Sequence, residues 1–93
     1  MLEVKNSSVF KIKSTASVRN ILGETFFILD SETGKQYNLT EMEYDIVDMI
    51  SKGLEFGAVV DKIVSEYNAT EDQIEADLKE YYISLFDEGL ILE

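Results

Sequence analysis

Cysteine and histidine are both absent from this 93-residue chain. Without Cys there is no disulfide, no thiolate nucleophile and no thiolate ligand. Without His the chain lacks the side chain most used for proton transfer near neutrality, and the commonest metal ligand. Zinc, haem and iron–sulfur sites lose nearly all their usual protein donors. No cofactor is therefore expected, and an enzyme would have to work with carboxylates, Lys or Tyr. Proline is absent as well, which suits uninterrupted helices. No apolar run is long enough to span a bilayer. Met1 to Lys13 lacks the apolar stretch of a signal peptide. The expectation is a cytoplasmic protein with no membrane partner, in which the sequons at Asn6, Asn38 and Asn68 carry no glycan meaning.

Basic residues are scarce. Eight Lys and Arg face nineteen Asp and Glu, for a net charge of −11. Residues 1–40 hold five basic and four acidic side chains (net +1), and residues 41–93 hold three basic and fifteen acidic (net −12). The second half repels phosphate backbones and attracts basic peptides or basic protein surfaces, mainly by speeding encounter. A hydrophobic content of 45% is enough for one small core.

Along the chain, residues 1–8 read as a flexible lead-in. Phe10 and Ile12 alternate with Lys11 and Lys13, as in a short strand. Val18 to Leu22 and Thr25 to Leu29 are rich in β-branched and aromatic residues, and Gly23-Glu24 between them makes a hairpin. A second turn, Ser31 to Gly34, leads to a strand over Lys35 to Leu39. Thr40 with Glu43 then forms a capping box, with Leu39 and Tyr44 at the positions of a hydrophobic staple. Helix 1 is expected over Glu41 to Lys52, with Met42, Ile46, Met49 and Ile50 on one face. Gly53 follows as a left-handed C′ residue, from which Leu54 folds back on Met49. Helix 2 covers Glu55 to Tyr67, with Phe56, Val59, Val60, Ile63, Val64 and Tyr67 at helical spacing. Thr70 and Gln73 suggest a second capping box, opening a third helix with Ile74, Leu78, Tyr81, Tyr82 and Leu85 on one side. Gly89 closes that helix and places Leu90 on Leu85. Leu90-Ile91-Leu92 is apolar enough to dock on the core. The result is one α+β domain over residues 1–93, winged helix-turn-helix-like, with a small three-stranded antiparallel sheet followed by three helices.

A helical trio beside a small sheet raises DNA reading by the third helix. That helix carries Glu71, Asp72, Glu75, Asp77, Glu80, Asp87 and Glu88 against Lys79 alone, so no nucleic-acid partner is expected. Asp30, Glu32 and Glu41 fall at positions 1, 3 and 12 of an EF-hand register. Gly34 and Lys35 break it at positions 5 and 6, leaving an ordinary turn and no metal. Glu71 with Glu75, or Asp45 with Asp48, could pair as catalytic carboxylates. Nothing buries them or separates their pKa values, so a solvated face is the simpler reading.

The corner between strand and helix offers a different chemistry. An edge strand over Lys35, Gln36, Tyr37, Asn38 and Leu39 could take an extended peptide as an added strand. Alternation puts Tyr37 and Leu39 on one face and Gln36 and Asn38 on the other. Tyr81 and Tyr82 are amphipathic rings of the kind enriched at binding surfaces. They serve equally well as ordinary packing beside a solvated edge, and the residues alone do not separate the two.

From Val18 to Leu92 the chain resembles the PqqD-like family, the peptide recognition elements of ribosomal-peptide modification pathways. Tyr37, Leu39, Glu41, Ile46, Gly53, Tyr67, Asp77, Leu85, Gly89, Leu90 and Ile91 follow the family pattern in order and spacing. Thr40 stands in place of the family Asn, Glu43-Tyr44 in place of a small pair, and Val47 in place of Trp. The resemblance implies a non-catalytic module that captures the leader region of a precursor peptide by strand addition. It would present that peptide to a tailoring enzyme, a radical SAM protein or a leader peptidase. Carried onto this sequence, the peptide-binding residues are Lys35 to Leu39 with Ile74, Leu78, Tyr81 and Tyr82. The alternative is a winged-helix interaction or homodimerisation module, in which the same edge strand pairs with a partner protein, in a transcription-associated setting.

Overall fold

The computed structural model describes residues 2–93. Two short strands, β1 (Lys11–Ile12) and β5 (Ile91–Leu92), clasp the chain ends. Between them come β2 (Ala16–Ile21), β3 (Thr25–Asp30) and β4 (Gln36–Leu39), then α1 (Glu41–Ser51), α2 (Phe56–Tyr67) and α3 (Glu71–Asp87). The three-stranded sheet runs β2-β3-β4, antiparallel throughout. Its register places Ile28 opposite both Val18 and Tyr37, and Phe26 opposite Leu39. These residues share the sheet face turned to the helices, and Ile28 is fully buried there. This is the α+β arrangement of three strands and three helices that the pattern predicts.

The β1–β5 pair is not visible in the sequence pattern. Lys11 pairs with Leu92 and Ile12 with Ile91, and the Lys13 N–H donates to the Leu90 carbonyl at 2.9 Å. Leu90 and Ile91 are buried, as their composition demands. Residues 2–8, read from sequence as a loose lead-in, lie against the body, while Met1 falls outside the described residues. Val4 joins the core, and the N–H groups of Phe56 and Gly57 donate to the carbonyls of Ser8 and Asn6.

Helix ends follow local chemistry. The Thr40–Glu43 box is complete, with the Glu43 N–H donating to Thr40 Oγ1 at 3.1 Å and the Thr40 N–H to Glu43 Oε1 at 2.8 Å. Gly53 and Gly89 both adopt positive φ. The N–H groups of Leu54 and Leu90 return to the carbonyls of Met49 and Leu85, the Schellman arrangement. The second capping box does not form. Thr70 is the N-cap of α3 but its side chain bonds nothing there. The Gln73 amide reaches forward along the helix to Asp77 Oδ1 at 3.0 Å instead of back to the cap.

Burial is wider than single-face spacing suggests. Val47 is fully buried along with Ile46 and Ile50, because α1 packs on the sheet on one side and on α2 on the other. Tyr67, predicted on the apolar face of α2, is partly exposed. It donates its hydroxyl to Asp45 Oδ2 at 2.8 Å. Burial, that bond and the negative charges around it push its pKa up to about 12.

One charged group sits in the core layer. Asp30 is 2% exposed. It accepts from Lys13 Nζ at 2.7 Å, Thr15 Oγ1 at 2.7 Å and the Glu32 N–H at 3.0 Å. Lys13 also pairs with Glu32 at 2.9 Å. An ammonium thus occupies the place the EF-hand register would give to a cation. The Lys13 and Thr15 hydrogen bonds hold the Asp30 carboxyl at about 2, below its ordinary 3.8. A carboxylate with a lowered folded pKa stabilises the fold above its unfolded value, and that contribution disappears as pH falls through the folded one. Stability is therefore expected to fall between about pH 4 and pH 2. Denaturant melts across this window should show a shallower pH slope for Asp30→Asn than for the parent. Equal slopes would mean that Asp30 is not the titrating group.

Candidate peptide-binding site

β4 is an edge strand, and the ladder decides which of its groups are free. The Asp30 N–H donates to the Lys35 carbonyl at 2.9 Å, so residues 30 and 35 form a hydrogen-bonded pair. Antiparallel pairs alternate. Tyr37 with Ile28 and Leu39 with Phe26 are then the next bonded pairs in this register. The N–H and C=O groups of Gln36 and Asn38 consequently point away from β3, toward open space. The strand carries no Pro or bulge to blunt this edge, the usual protections against pairing.

A cleft of about 190 Å³ lies between this strand and α3. Ile28, Tyr37, Leu39, Leu85 and Leu90 give it apolar surface, Asn38 and Ser84 line it, and Glu43 and Glu88 bring carboxylates. The capping box fixes Glu43 and the angle at which α1 leaves the strand. The Gly89 turn brings Leu90 beneath α3. The Tyr44 ring meets Phe26 at 5.0 Å, and Phe26 lies opposite Leu39 in the ladder, so the end of β4 is braced against α1.

The sequence-predicted residues divide into three groups. Tyr37, Asn38, Leu39 and Tyr81 line the cleft. Lys35 and Gln36 are exposed at the start of the same edge. Ile74, Leu78 and Tyr82 are buried in the core and do not line the cleft. The helical period accounts for the split. Residues 74, 78, 82 and 85 form the inward stripe of α3, whereas 81, 84, 85 and 88 form the neighbouring stripe that turns to β4. The two tyrosines therefore differ. Tyr82 packs edge-on against Phe10 at 5.4 Å and Phe56 at 5.0 Å. Tyr81 is half-buried at the cleft, its hydroxyl shielded and without a hydrogen-bond partner among the described residues. Burial, then the nearby Glu43 charge, lifts its pKa well above the ordinary tyrosine value. Ile28, Glu43, Ser84, Leu85, Glu88 and Leu90 were not singled out for this site from the sequence. The 81–84/85–88 stripe ending at Gly89-Leu90 is the signal that could have found four of them.

A larger hollow of about 430 Å³ lies beside the start of α2 and α3, lined by Glu55, Asp61, Glu71 and Glu75 among others. It has no strand edge, and no group of acidic residues among those described is arranged to hold a metal ion. The paired carboxylates weighed as catalysts also have ordinary surroundings: Asp48 bonds Lys52 at 2.9 Å, Glu75 faces Lys79 at 3.3 Å and Asp45 accepts from Tyr67. No helix is long and apolar enough to cross a membrane, among the described residues.

No curated protein matches the chain. Among solved structures it is similar to TbiB1, solved in complex with the TbiA(beta) leader peptide. That likeness has 23% identity and a TM-score of 0.79, and covers 87% of this chain and 93% of the other. It is also similar to a lasso peptide synthetase B1 complexed with its leader peptide, at 23% identity and a TM-score of 0.82, over 92% of this chain and 100% of that one. At such identity the likeness establishes a shared fold. The family described as coenzyme PQQ synthesis protein D (PqqD) matches residues 25–91, which takes in β3, β4 and all three helices, and the chain belongs to that family.

Proposed function

We propose that this protein is a non-catalytic, cytoplasmic module that captures the leader region of a ribosomal precursor peptide as a fourth strand on β4. It then presents that peptide to a tailoring enzyme, such as a radical SAM protein or a leader peptidase. The observation that carries this reading is the open edge of Gln36 and Asn38 beside an apolar cleft under α3. Backbone pairing supplies register and affinity, and the cleft supplies side-chain selectivity. The likeness to two structures solved with leader peptides supports the reading. So does the lack of Cys and His, which leaves little for a reaction of its own. In this reading the β2–β3 hairpin is the wing and α1 to α3 the helical trio of a winged helix-turn-helix-like plan, turned from DNA to peptide by its acidic helices.

The test is a titration of isotopically labelled protein with the leader segment of a precursor peptide encoded beside its gene. Amide shifts should concentrate on residues 35–39 and on the cleft stripe of α3 around Tyr81, Ser84 and Leu85. They should be small at Ile74 and Leu78, which lie on the core stripe. Saturating leader with no shifts along β4 would sink strand addition.

A further inference from the structure

The cleft has a carboxylate at each end. Glu43 stands near Tyr81, whose hydroxyl feels its charge, and near Leu39 through the capping box. Glu88 stands seven residues further along α3, a rise of roughly 10 Å. A chain of contacts fixes which end of β4 it faces. Leu90, two residues on, bonds Lys13, Lys13 bonds Asp30, and the Asp30 N–H bonds the Lys35 carbonyl. Glu88 therefore lies toward the Gln36 end of the strand and Glu43 toward the Leu39 end. Neither carboxylate is in a salt bridge with any described residue. Between them lie the apolar floor and the unpartnered Tyr81 hydroxyl.

Resting on the function proposed above, we infer that Glu43 and Glu88 select the bound segment. The segment would be an extended peptide with Lys or Arg at two positions four residues apart and an apolar residue midway. Side chains two apart on a strand share a face, and four residues of strand span roughly 13 Å. Both cations and the apolar residue therefore face α3 together, the apolar one over Leu39, Tyr37 and Leu85. The strongly acidic second half of the chain adds attraction of the same sign at longer range.

Two synthetic eleven-residue peptides of alternating Val and Thr test this. One carries Lys at positions 4 and 8 and the other Gln at the same positions, with Val at position 6 in both. Affinities are read from amide shifts of residues 36–39 at low salt. The parent protein should bind the Lys peptide about tenfold more tightly, which is what two solvent-touched ion pairs can supply. The preference should shrink to under threefold in 0.5 M salt and in the Glu43→Gln/Glu88→Gln double variant. Gln at position 43 can still complete the capping box, so the fold is preserved. Equal affinities, or a preference that survives in the double variant, would overturn the inference while leaving strand capture intact. If neither peptide nor the encoded leader shifts the β4 amides, strand capture itself fails and the inference falls with it.

Discussion

Asn38→Pro should weaken leader binding by roughly five- to a hundredfold and leave the protein folded. The N–H of Asn38 points to the free edge, so the substitution removes a donor that the sheet itself does not use. Proline is tolerated on edge strands for this reason, and the preceding Tyr37 is already in the extended backbone that proline requires before it. The incoming strand would meet a missing donor and a ring in its place. A buried acceptor left without its partner costs about 1–3 kcal/mol, which gives the stated range of affinity. Tyr37→Pro would be less informative. Tyr37 lies at a bonded pair with Ile28, so that change damages the ladder as well as the site. The measurement is leader affinity by calorimetry, paired with a thermal melt. Unchanged affinity in a folded Asn38→Pro variant would rule out strand addition on this edge.

Tyr82→Ala should remove about 3–5 kcal/mol of stability, the usual cost of emptying a large aromatic from a core. Small domains have only about 5–15 kcal/mol in total, so much of the variant would be unfolded near physiological temperature. Tyr82 is among the largest fully buried side chains and fills the space between Phe10 and Phe56. Its hydroxyl has no partner among the described residues, and burial raises its pKa well above the ordinary tyrosine value. Tyr82→Phe is therefore expected to be stabilising, by about 1 kcal/mol, since it deletes a buried polar group that bonds nothing. For a domain of this size that is a melting shift of about 4–8 °C. Leader affinity should not change. Tyr81→Phe should raise the melt in the same direction, since that hydroxyl is likewise shielded and without a partner among the described residues, but Tyr81 lines the cleft, so leader affinity is where the two variants should differ. A clear drop in the melting temperature of Tyr82→Phe would mean that the hydroxyl is held, for instance by a buried water.

These two tyrosines mark where sequence reading stops. Neighbours in a helix sit about 100° apart, so periodicity alone leaves either of them facing inward. The turn signals are different in kind. Thr40 with Glu43, Gly53 with Leu54 and Gly89 with Leu90 each act within six residues, and each appears in the structure as its local chemistry requires. Thr70 with Gln73 carries the same signature and does not close, because Gln73 has a competing partner one turn ahead in Asp77. A local motif fixes what is available to bond, not which of two partners wins. The β1–β5 clasp joins residues some eighty positions apart, and two-residue strands carry no period to detect.

The sequence by itself determined the order of the three sheet strands and three helices, the alternation of polar and apolar faces along the Gln36–Leu39 strand, the capped corner into α1 and the absence of thiol and imidazole chemistry. All of these depend on residue type and on neighbours within a few positions. Only the tertiary structure decided that Ile74, Leu78 and Tyr82 belong to the core, and that Glu43, Ser84, Glu88 and Leu90 join Tyr37 and Leu39 around one cleft. Burial is a property of what packs against a side chain. Here that neighbour comes from residues up to about seventy positions away, as Phe10 is from Tyr82, brought together by the ladder register and the rotation of α3.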